Sequence, residues 1–154
     1  MERDDFYMGL AMEEAEKGYR LAEVPVGAVL VGVDGQVLSR AHNMPIRSND
    51  PTAHAEILAI RSASTRVGNY RLPETVIYVT LEPCTMCIGA LLHARVRRLV
   101  FGARDPRSGA AGSVLDLTGV AFLNHRMDVT GGVLAENCAE ILQRFFKERR
   151  KGER

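Results

Sequence analysis

Hydrophobic positions recur along the chain with two different periods, and each period predicts one kind of secondary structure. In residues 4–18 the apolar side chains return every three or four positions, which predicts a helix. The apolar side of that helix consists of Phe6, Tyr7, Leu10, Ala11 and Ala15. The segment VPVGAVLVGVDGQVLSRAHN, residues 24–43, contains two β-branched runs around Asp34-Gly35, and this pattern predicts a β-hairpin.

The middle of the chain alternates helical and extended patterns. NDPTAHAEILAIRSA, residues 49–63, predicts a helix that Asp50 or Thr52 caps, with Pro51 in the first turn. TVIYVTL, residues 75–81, predicts a short buried strand, and a helix is expected from about Pro83 to Ala94. VRRLVFGA, residues 96–103, predicts another strand, and the glycine-rich residues 102–113 that follow predict a loop.

The last third of the chain predicts a short strand near residues 127–129 and then a clear helix. Apolar residues of the terminal helix keep a helical spacing at Leu134, Cys138, Ile141, Leu142 and Phe145. Together these elements predict an α/β fold in which helices cover both faces of a mixed sheet. At 154 residues, the chain is expected to form one domain over 1–154, with a basic C-terminal helix and tail at about 134–154.

The composition is that of an ordinary globular protein, with 46% hydrophobic and 25% charged residues. The N-terminal segment MERDDFYMGL is acidic and lacks an apolar core, so we expect no signal peptide. No apolar run has the length of about 18 residues that a membrane span requires. Three cysteines are too few and too unevenly placed for a disulfide framework. The sequence therefore predicts a soluble, intracellular and cytoplasmic protein.

Charge is distributed unevenly, although the net charge is only +1. Residues 1–24 contain seven acidic and three basic side chains, whereas the last fourteen residues contain six basic and two acidic ones. A second group of arginines lies at Arg95, Arg97, Arg98, Arg104 and Arg107. This asymmetry is compatible with a polyanionic partner and equally with a solvated face of the terminal helix.

Two thiols lie three positions apart in LEPCTMCIGA, at Cys84 and Cys87. A pair at this spacing can be a redox dithiol, half of a structural zinc site or part of a catalytic zinc site. Among the four histidines, His54 is the strongest candidate for a metal ligand, because it lies at the start of a predicted helix with Glu56 two residues later. Two helix N-termini could bring these groups together, and their partial positive charges would favour thiolates.

One histidine and two cysteines give only three zinc ligands. Cys138 is a candidate for the fourth ligand. However, it belongs to the apolar stripe of the terminal helix, which already explains it as a small core residue. His93 would point away from Cys84 on the same helix. A fourth position open to water would make the site catalytic, with Glu56 as the proton carrier.

HAE at residues 54–56 and PCTMC at residues 83–87 fit the H-x-E and P-C-x-x-C signature of zinc-dependent nucleobase deaminases. Over nearly the whole chain the sequence resembles the bacterial tRNA-specific adenosine deaminases of that superfamily. The segments that carry the resemblance are NDPTAHAEI, YVTLEPCTMC, FGARD, GAAGS and NHR. Residues 117–126 resemble that branch less.

The resemblance implies a three-layer α/β/α cytidine-deaminase-like fold with a five-stranded mixed sheet and helices on both faces. It also implies one Zn²⁺ per subunit, held by His54, Cys84 and Cys87, with Glu56 as the catalytic proton carrier. The implied reaction is the hydrolytic conversion of adenosine to inosine at the wobble position of a tRNA anticodon loop. A homodimer is implied in which the neighbouring subunit contributes to each substrate groove.

The resemblance also implies substrate contacts. Asn43 is expected to hydrogen-bond the base, Ala55 to offer it a backbone N–H, and Pro83 to shape the pocket wall. Asp105 is expected to meet the RNA backbone through a ribose hydroxyl. Phe146 is the candidate for stacking on a base. The residues expected to hold phosphates are Arg104, Arg107, Arg149, Arg150 and Lys151.

Two other functions remain open at this point. A guanine or cytosine deaminase of the same superfamily would share the zinc and Glu56 without needing a basic tail. A non-catalytic, zinc-stabilised RNA-binding module would bind tRNA and produce no inosine, and Glu56 would then have no role.

Overall fold

Four helices and five strands are formed by the residues that the structure, a computed structural model, describes, namely 2–120 and 125–152. In chain order they are α1 (Glu2–Arg20), β1 (Gly27–Val31), β2 (Val37–His42), α2 (Ala55–Val67), β3 (Val76–Leu81), α3 (Thr85–His93), β4 (Arg98–Ala103), β5 (Asp128–Thr130) and α4 (Ala135–Gly152).

The five strands form one mixed sheet in the order β2-β1-β3-β4-β5. β1 pairs antiparallel with β2 and with β3, whereas β3, β4 and β5 run parallel to one another. The tight turn at Gly35, which has a φ of 84°, suits the antiparallel hairpin. The helical crossover through α3 suits the parallel pair β3–β4. The predicted mixed sheet is confirmed.

Alternation along the central strands divides the core into two layers. Ala28 and Leu30 of β1 face a cluster that includes α2 and α3, and Val29 and Val31 face a second cluster with α1 and α4. Successive side chains of a strand point to opposite faces, so the fully buried β1 needs apolar residues at every position. The three-layer α/β/α arrangement is therefore confirmed.

Two local predictions differ from the structure. Phe6 is 62% exposed, and the fully buried Met8 contributes to the core from α1 instead. Helix α2 begins at Ala55 with His54 as its N-cap, several residues later than predicted. The reason is that Asp50 Oδ1 accepts hydrogen bonds from the backbone N–H and the hydroxyl of Thr52, which closes a local turn before the helix.

The terminal helix packs as its apolar stripe predicts. Cys138, Ile141 and Phe145 are buried against the sheet, whereas Phe146 is 44% exposed. A Cβ built on Gly102 would collide with Cys138 Sγ and would lie 2.8 Å from Thr80 O, so α4 crosses the sheet at a glycine. The prediction of a core role for Cys138 is confirmed.

The connection between β4 and β5 falls partly outside the described residues. Residues 121–124, including Asn124 of the NHR segment, are not described, so the predicted role of residues 117–126 stays open. On the described side, a ring nitrogen of His125 lies 2.7 Å from the carbonyl oxygen of Val96. Among the described helices, none combines the length and the apolar character that crossing a bilayer requires.

Candidate active site

Three potential metal ligands converge at the starts of two helices. His54 is the N-cap of α2 and Cys84 is the N-cap of α3, and neither side chain hydrogen-bonds its own helix terminus. His54 Nδ1 lies 3.7 Å from Cys84 Sγ and 3.6 Å from Cys87 Sγ. The three donor atoms all lie within 4.8 Å of one another, as the sequence predicted.

These separations fit tetrahedral zinc. A zinc ion about 2.3 Å from sulfur and about 2.0 Å from nitrogen places the two ligand atoms roughly 3.6 Å apart. The Cys87 side chain, which hydrogen-bonds the Cys84 sulfur, and then His54 lower the pKa of Cys84 to about 4. A thiolate at the N-terminus of α3 also gains from the helix dipole, so the donor set matches the softness and charge that zinc prefers.

Among residues 2–120 and 125–152, this group of donors contains three members and no fourth His, Cys, Asp or Glu. Cys138 belongs to the cluster on the opposite face of the sheet. His93 is exposed at the end of α3. Three protein ligands are typical of a catalytic rather than a structural zinc.

Glu56, in the first turn of α2, is 3% exposed and lines the same cavity as His54 and Cys84. Burial, the largest cause, and the nearby Cys84 sulfur together raise the pKa of Glu56 to about 7, against the lowering effects of a backbone hydrogen bond and of His54. A carboxyl group with a pKa near neutrality can both accept and donate a proton at physiological pH. Glu56 is therefore equipped for general acid–base chemistry.

Asn43 follows β2 and also lines the cavity. Its Oδ1 accepts a 2.8 Å hydrogen bond from the Ala55 backbone N–H. That bond fixes the orientation of the amide, so the Asn43 NH₂ group is the one left to donate to a bound molecule. In this structure Ala55 thus orients Asn43 and does not offer its N–H to the cavity, which differs from the sequence-based expectation.

The cavity has a volume of about 110 Å³. Its polar lining comes from Asn43, His54, Glu56, Glu82, Cys84, Asp105 and Ser108, and its apolar lining from Val24, Val26 and Leu81. Pro83 does not belong to this lining: it is buried, and its carbonyl accepts the Ala110 N–H at 2.8 Å. Its observed place is immediately before the N-cap of α3.

A larger groove of about 990 Å³ adjoins the cavity and shares Val24, Leu81, Asp105 and Ser108 with it. Arginines from two distant segments line this groove, namely Arg104, Arg107, Arg149 and Arg150. Within the described part of the chain, none of the four is paired with a carboxylate. Phe146 also lines the groove. Lys151 is exposed on the same helix but is not a lining residue.

The residues from Arg104 to Ser113, which we call the Asp105 loop, connect the cavity with the groove. Asp105 Oδ1 accepts the backbone N–H groups of Arg107 and Ser108, and Oδ2 accepts the Ser108 hydroxyl. These bonds hold the carboxylate within the loop and partly exposed, at the boundary between the two spaces.

Sequence reasoning missed Glu82, the most extensively hydrogen-bonded carboxylate near the site. Glu82 is 2% exposed and accepts the N–H groups of Asp105, Ala111 and Ser113 as well as the Ser113 hydroxyl. Burial raises the pKa of Glu82, but these hydrogen bonds outweigh it and lower the pKa overall. The sequence feature that could have indicated Glu82 is the acidic residue placed directly after a predicted buried strand.

A sequence profile described as the cytidine and deoxycytidylate deaminase zinc-binding region matches residues 1–103. The chain belongs to this family of zinc-dependent deaminases. The ligand geometry and the matching profile agree on one zinc ion per subunit, held by His54, Cys84 and Cys87.

Relatives within the family define the branch more closely. The chain is 49% identical over 150 residues to a tRNA-specific adenosine deaminase of Haemophilus influenzae, an alignment that covers 97% of this chain and 87% of that one. It is 44% identical over 151 residues to the tRNA-specific adenosine deaminase of Bacillus subtilis, covering 98% and 93%. A solved structure from work on A-to-I editing by tRNA:A34 deaminases superposes with a TM-score of 0.86 at 47% identity, covering 89% of this chain and 99% of that one.

Proposed function

We propose that this protein is a hydrolytic deaminase that converts adenosine to inosine at the wobble position of the tRNA anticodon loop. The observation that carries the proposal is the triangle of His54, Cys84 and Cys87 beside the buried Glu56, in a cavity that opens on an arginine-lined groove. The relatives at 49% and 44% identity support adenosine in tRNA as the substrate.

Zinc held by the three ligands supplies Lewis acidity, which lowers the pKa of water towards neutrality. Glu56 accepts one proton from the attacking water and delivers it to the ring nitrogen. It then takes the remaining proton from the newly formed hydroxyl group and delivers it to the departing amino group. Water and adenosine thereby give inosine and ammonia, and the carboxyl group ends in its starting state. Its pKa near 7 suits a group that performs both transfers.

Base recognition is assigned to Asn43. Because its Oδ1 is occupied by the Ala55 N–H, the Asn43 amide donates to an acceptor atom of the purine. The target base leaves its stack and enters the cavity, and this costs less in a single-stranded loop than in a duplex. Pro83, which is buried and directly precedes Cys84 in the chain, supports this wall from outside the lining.

RNA binding is assigned to the groove. Arg104, Arg107, Arg149 and Arg150 hold phosphates, with Lys151 beside them, and Phe146 offers a ring on which an unpaired base stacks. Asp105 accepts a ribose 2′-hydroxyl rather than contacting a phosphate, since a carboxylate repels phosphate. The anticodon stem-loop is thus the proposed partner.

The assembly and location of the protein are also proposals. Residues 1–154 act as one deaminase domain, two copies form a homodimer, and the neighbouring subunit completes each substrate groove. Exposed apolar side chains support a covering partner: Ile46, which lines the groove, is 62% exposed, and Val114 and Leu115, which directly follow the Asp105 loop, are 52% and 41% exposed. Sedimentation of the purified protein tests the dimer, and a tRNA substrate implies a cytoplasmic enzyme.

The decisive experiment incubates the purified chain with tRNA and sequences the RNA for adenosine-to-inosine changes. We expect the change at the wobble position and its loss in Glu56→Gln. If the wild-type protein formed inosine only at other positions of the tRNA, the proposed target position would be wrong. If it formed no inosine, the proposed activity would be wrong.

The alternatives predict other results in the same assay. A guanine or cytosine deaminase would turn over the free base faster than an anticodon stem-loop, and the identities to tRNA-specific relatives do not favour it. A non-catalytic RNA-binding module would retain tRNA without producing inosine, and the buried Glu56 counts against it. Elemental analysis excludes a redox dithiol if zinc is present.

A further inference from the structure

We propose that Glu82 is a positioning residue, which places the Asp105 loop for binding of the RNA substrate. Glu82 lies immediately after β3 and two residues before the zinc ligand Cys84. Its backbone N–H donates to Ala103 O at 2.8 Å, so the segment before the metal site is tied to the end of β4. The inference deepens the proposed function and rests on it.

The carboxylate joins the two ends of the loop. Glu82 Oε1 accepts the Asp105 N–H at 3.0 Å and the Ser113 hydroxyl. Oε2 accepts the N–H groups of Ala111 and Ser113, each at 3.0 Å. Because three of the four donors are backbone groups, the path of the loop itself depends on this side chain.

The loop also closes directly over the carboxylate. The Gly109 N–H donates to Asp105 O at 2.9 Å, which folds the loop back on itself. A Cβ built on Gly109 would lie 2.6 Å from Glu82 Oε1 and 2.6 Å from Asp105 O. Any side chain at residue 109 would therefore push the loop away from Glu82.

The position of the loop affects the substrate through Asp105 and Ser108, because both residues line the cavity and the groove. Glu82 is also a member of the cavity lining, but its oxygens are occupied by four donors from the loop. It therefore acts through the loop rather than as a proton carrier. A loop that shifts without disturbing Glu56 or zinc affects binding of the RNA more than the chemical step.

Glu82→Gln is the first test, because it keeps the shape and replaces one acceptor oxygen by an NH₂ group. Two backbone donors converge on Oε2, so the amide oxygen is expected to stay there and leave the Asp105 N–H without an acceptor. We expect KM for an anticodon stem-loop to rise about tenfold, the effect of one buried donor left unpaired. We expect kcat to fall less than about twofold and zinc content to stay unchanged.

A double-mutant cycle with Asp105→Ala distinguishes positioning from a general structural effect. If Glu82 acts through Asp105, then Glu82→Gln adds little to KM once Asp105→Ala is present. Asp34→Asn is the matched control, because Asp34 Oδ1 accepts the Gln36 N–H in the remote hairpin turn. This control should leave KM unchanged.

Gly109→Ala disturbs the contact between the loop and the Glu82 carboxylate from the loop side. It tests whether Glu82 positions the loop even if Glu82→Gln fails to fold. It should raise KM with little change in kcat, whereas Gly9→Ala, where a Cβ meets no atom within 4 Å, should change neither. An unchanged KM, a loss confined to kcat or additive effects of Glu82→Gln and Asp105→Ala would overturn the inference. Wild type that forms no inosine would instead overturn the proposed function.

Discussion

The Ala55 backbone N–H donates a 2.8 Å hydrogen bond to Asn43 Oδ1, and this bond joins the end of the hairpin to the first residue of α2. The orientation of the amide is thereby set before any substrate arrives. Preorganised donors of this kind lose little entropy on binding.

Asn43→Asp separates the two roles of this side chain. The aspartate still accepts the Ala55 N–H, but it replaces the donating NH₂ group by an oxygen that repels a purine nitrogen. We expect kcat/KM for the stem-loop to fall about 10–100-fold, with thermal stability close to wild type. Asn43→Ala should lose activity and also stability. Equal activity of Asn43→Asp and wild type would contradict the assignment to base recognition.

Glu56→Gln removes the proton carrier and leaves the zinc ligands in place. Inosine formation should fall by about 10²–10⁴-fold, the usual contribution of general acid–base catalysis. Zinc content, measured by elemental analysis, should stay near one ion per subunit. Glu140→Gln, whose side chain is 59% exposed on α4, is the matched control and should retain activity. Near-normal turnover of Glu56→Gln would refute its role.

Removal of zinc should destabilise the protein as well as inactivate it, because His54 and Cys84 begin two different helices. Chelation is expected to lower Tm by about 5–10 °C, since binding free energy adds to folding free energy. Calorimetry before and after chelation measures the shift. Added Zn²⁺ should restore Tm and added Mg²⁺ should not. An unchanged Tm in zinc-free protein would disprove the stabilising role.

The basic groove should make tRNA binding depend steeply on salt. The logarithm of the affinity falls as the logarithm of the salt concentration rises. Replacing Arg149 and Arg150 by alanine should make this decrease less steep, by about 0.7 for each lost phosphate contact. Fluorescence anisotropy with a labelled stem-loop between about 50 and about 200 mM salt measures the slope. Arg71→Ala, an exposed change outside the groove, should leave the slope unaltered. An unaltered slope in the double variant would place the RNA elsewhere.

Asp4 connects α1 to the sheet through a bidentate ion pair with Arg98, at 2.9 and 2.8 Å, and through the Tyr78 hydroxyl at 3.0 Å. The hydrogen bonds with Arg98 outweigh burial and lower the pKa of Asp4 below its usual value of 3.8. Asp4→Ala leaves Arg98 without its partner and should lower the free energy of unfolding at pH 7 by about 3 kcal/mol.

The pH dependence follows from the direction of that pKa shift. A carboxylate with a lowered pKa in the folded state stabilises the protein fully above pH 3.8. Its contribution disappears as the pH falls through the folded-state pKa. Urea unfolding at several pH values should therefore show a difference between wild type and Asp4→Ala that narrows in acid. The exposed Asp5→Ala is the control, and a difference that persists in acid would contradict the ion-pair explanation.

Much of the fold was predictable because its signals are local. The two β-branched runs around Asp34-Gly35 specify a hairpin, and the stripe through Cys138 and Phe145 specifies the buried side of α4. The start of α2 was predicted wrongly because an aspartate side chain can either cap a helix or close a local turn. In this structure Asp50 accepts a hydrogen bond from the Thr52 hydroxyl and closes a turn. Phe6 was placed on the buried side of α1, but it is exposed. Met8, three residues before the buried Ala11 and seven before the buried Ala15, is the large apolar side chain that joins them in the core.

The site was predictable only where a motif carries it. His54, Glu56, Cys84 and Cys87 occur in two short segments whose spacing indicates zinc chemistry, whereas Glu82 gives no such signal. Its partners at residues 105, 111 and 113 are brought to it by the pairing of β3 with β4 and by the loop that follows. The meeting of Arg104 and Arg107 with the end of α4 likewise depends on tertiary packing, which no local pattern encodes.

Neighbouring phenylalanines on α4 belong to different environments, with Phe145 4% and Phe146 44% exposed. The inner surface of this helix packs into the core, whereas its outer surface carries the residues proposed to contact the RNA. Natural drift or grafting could exchange the outward-facing residues for those of another deaminase without rebuilding the interior. Substrate choice would then evolve at the edge of the molecule while the reaction centre stays the same.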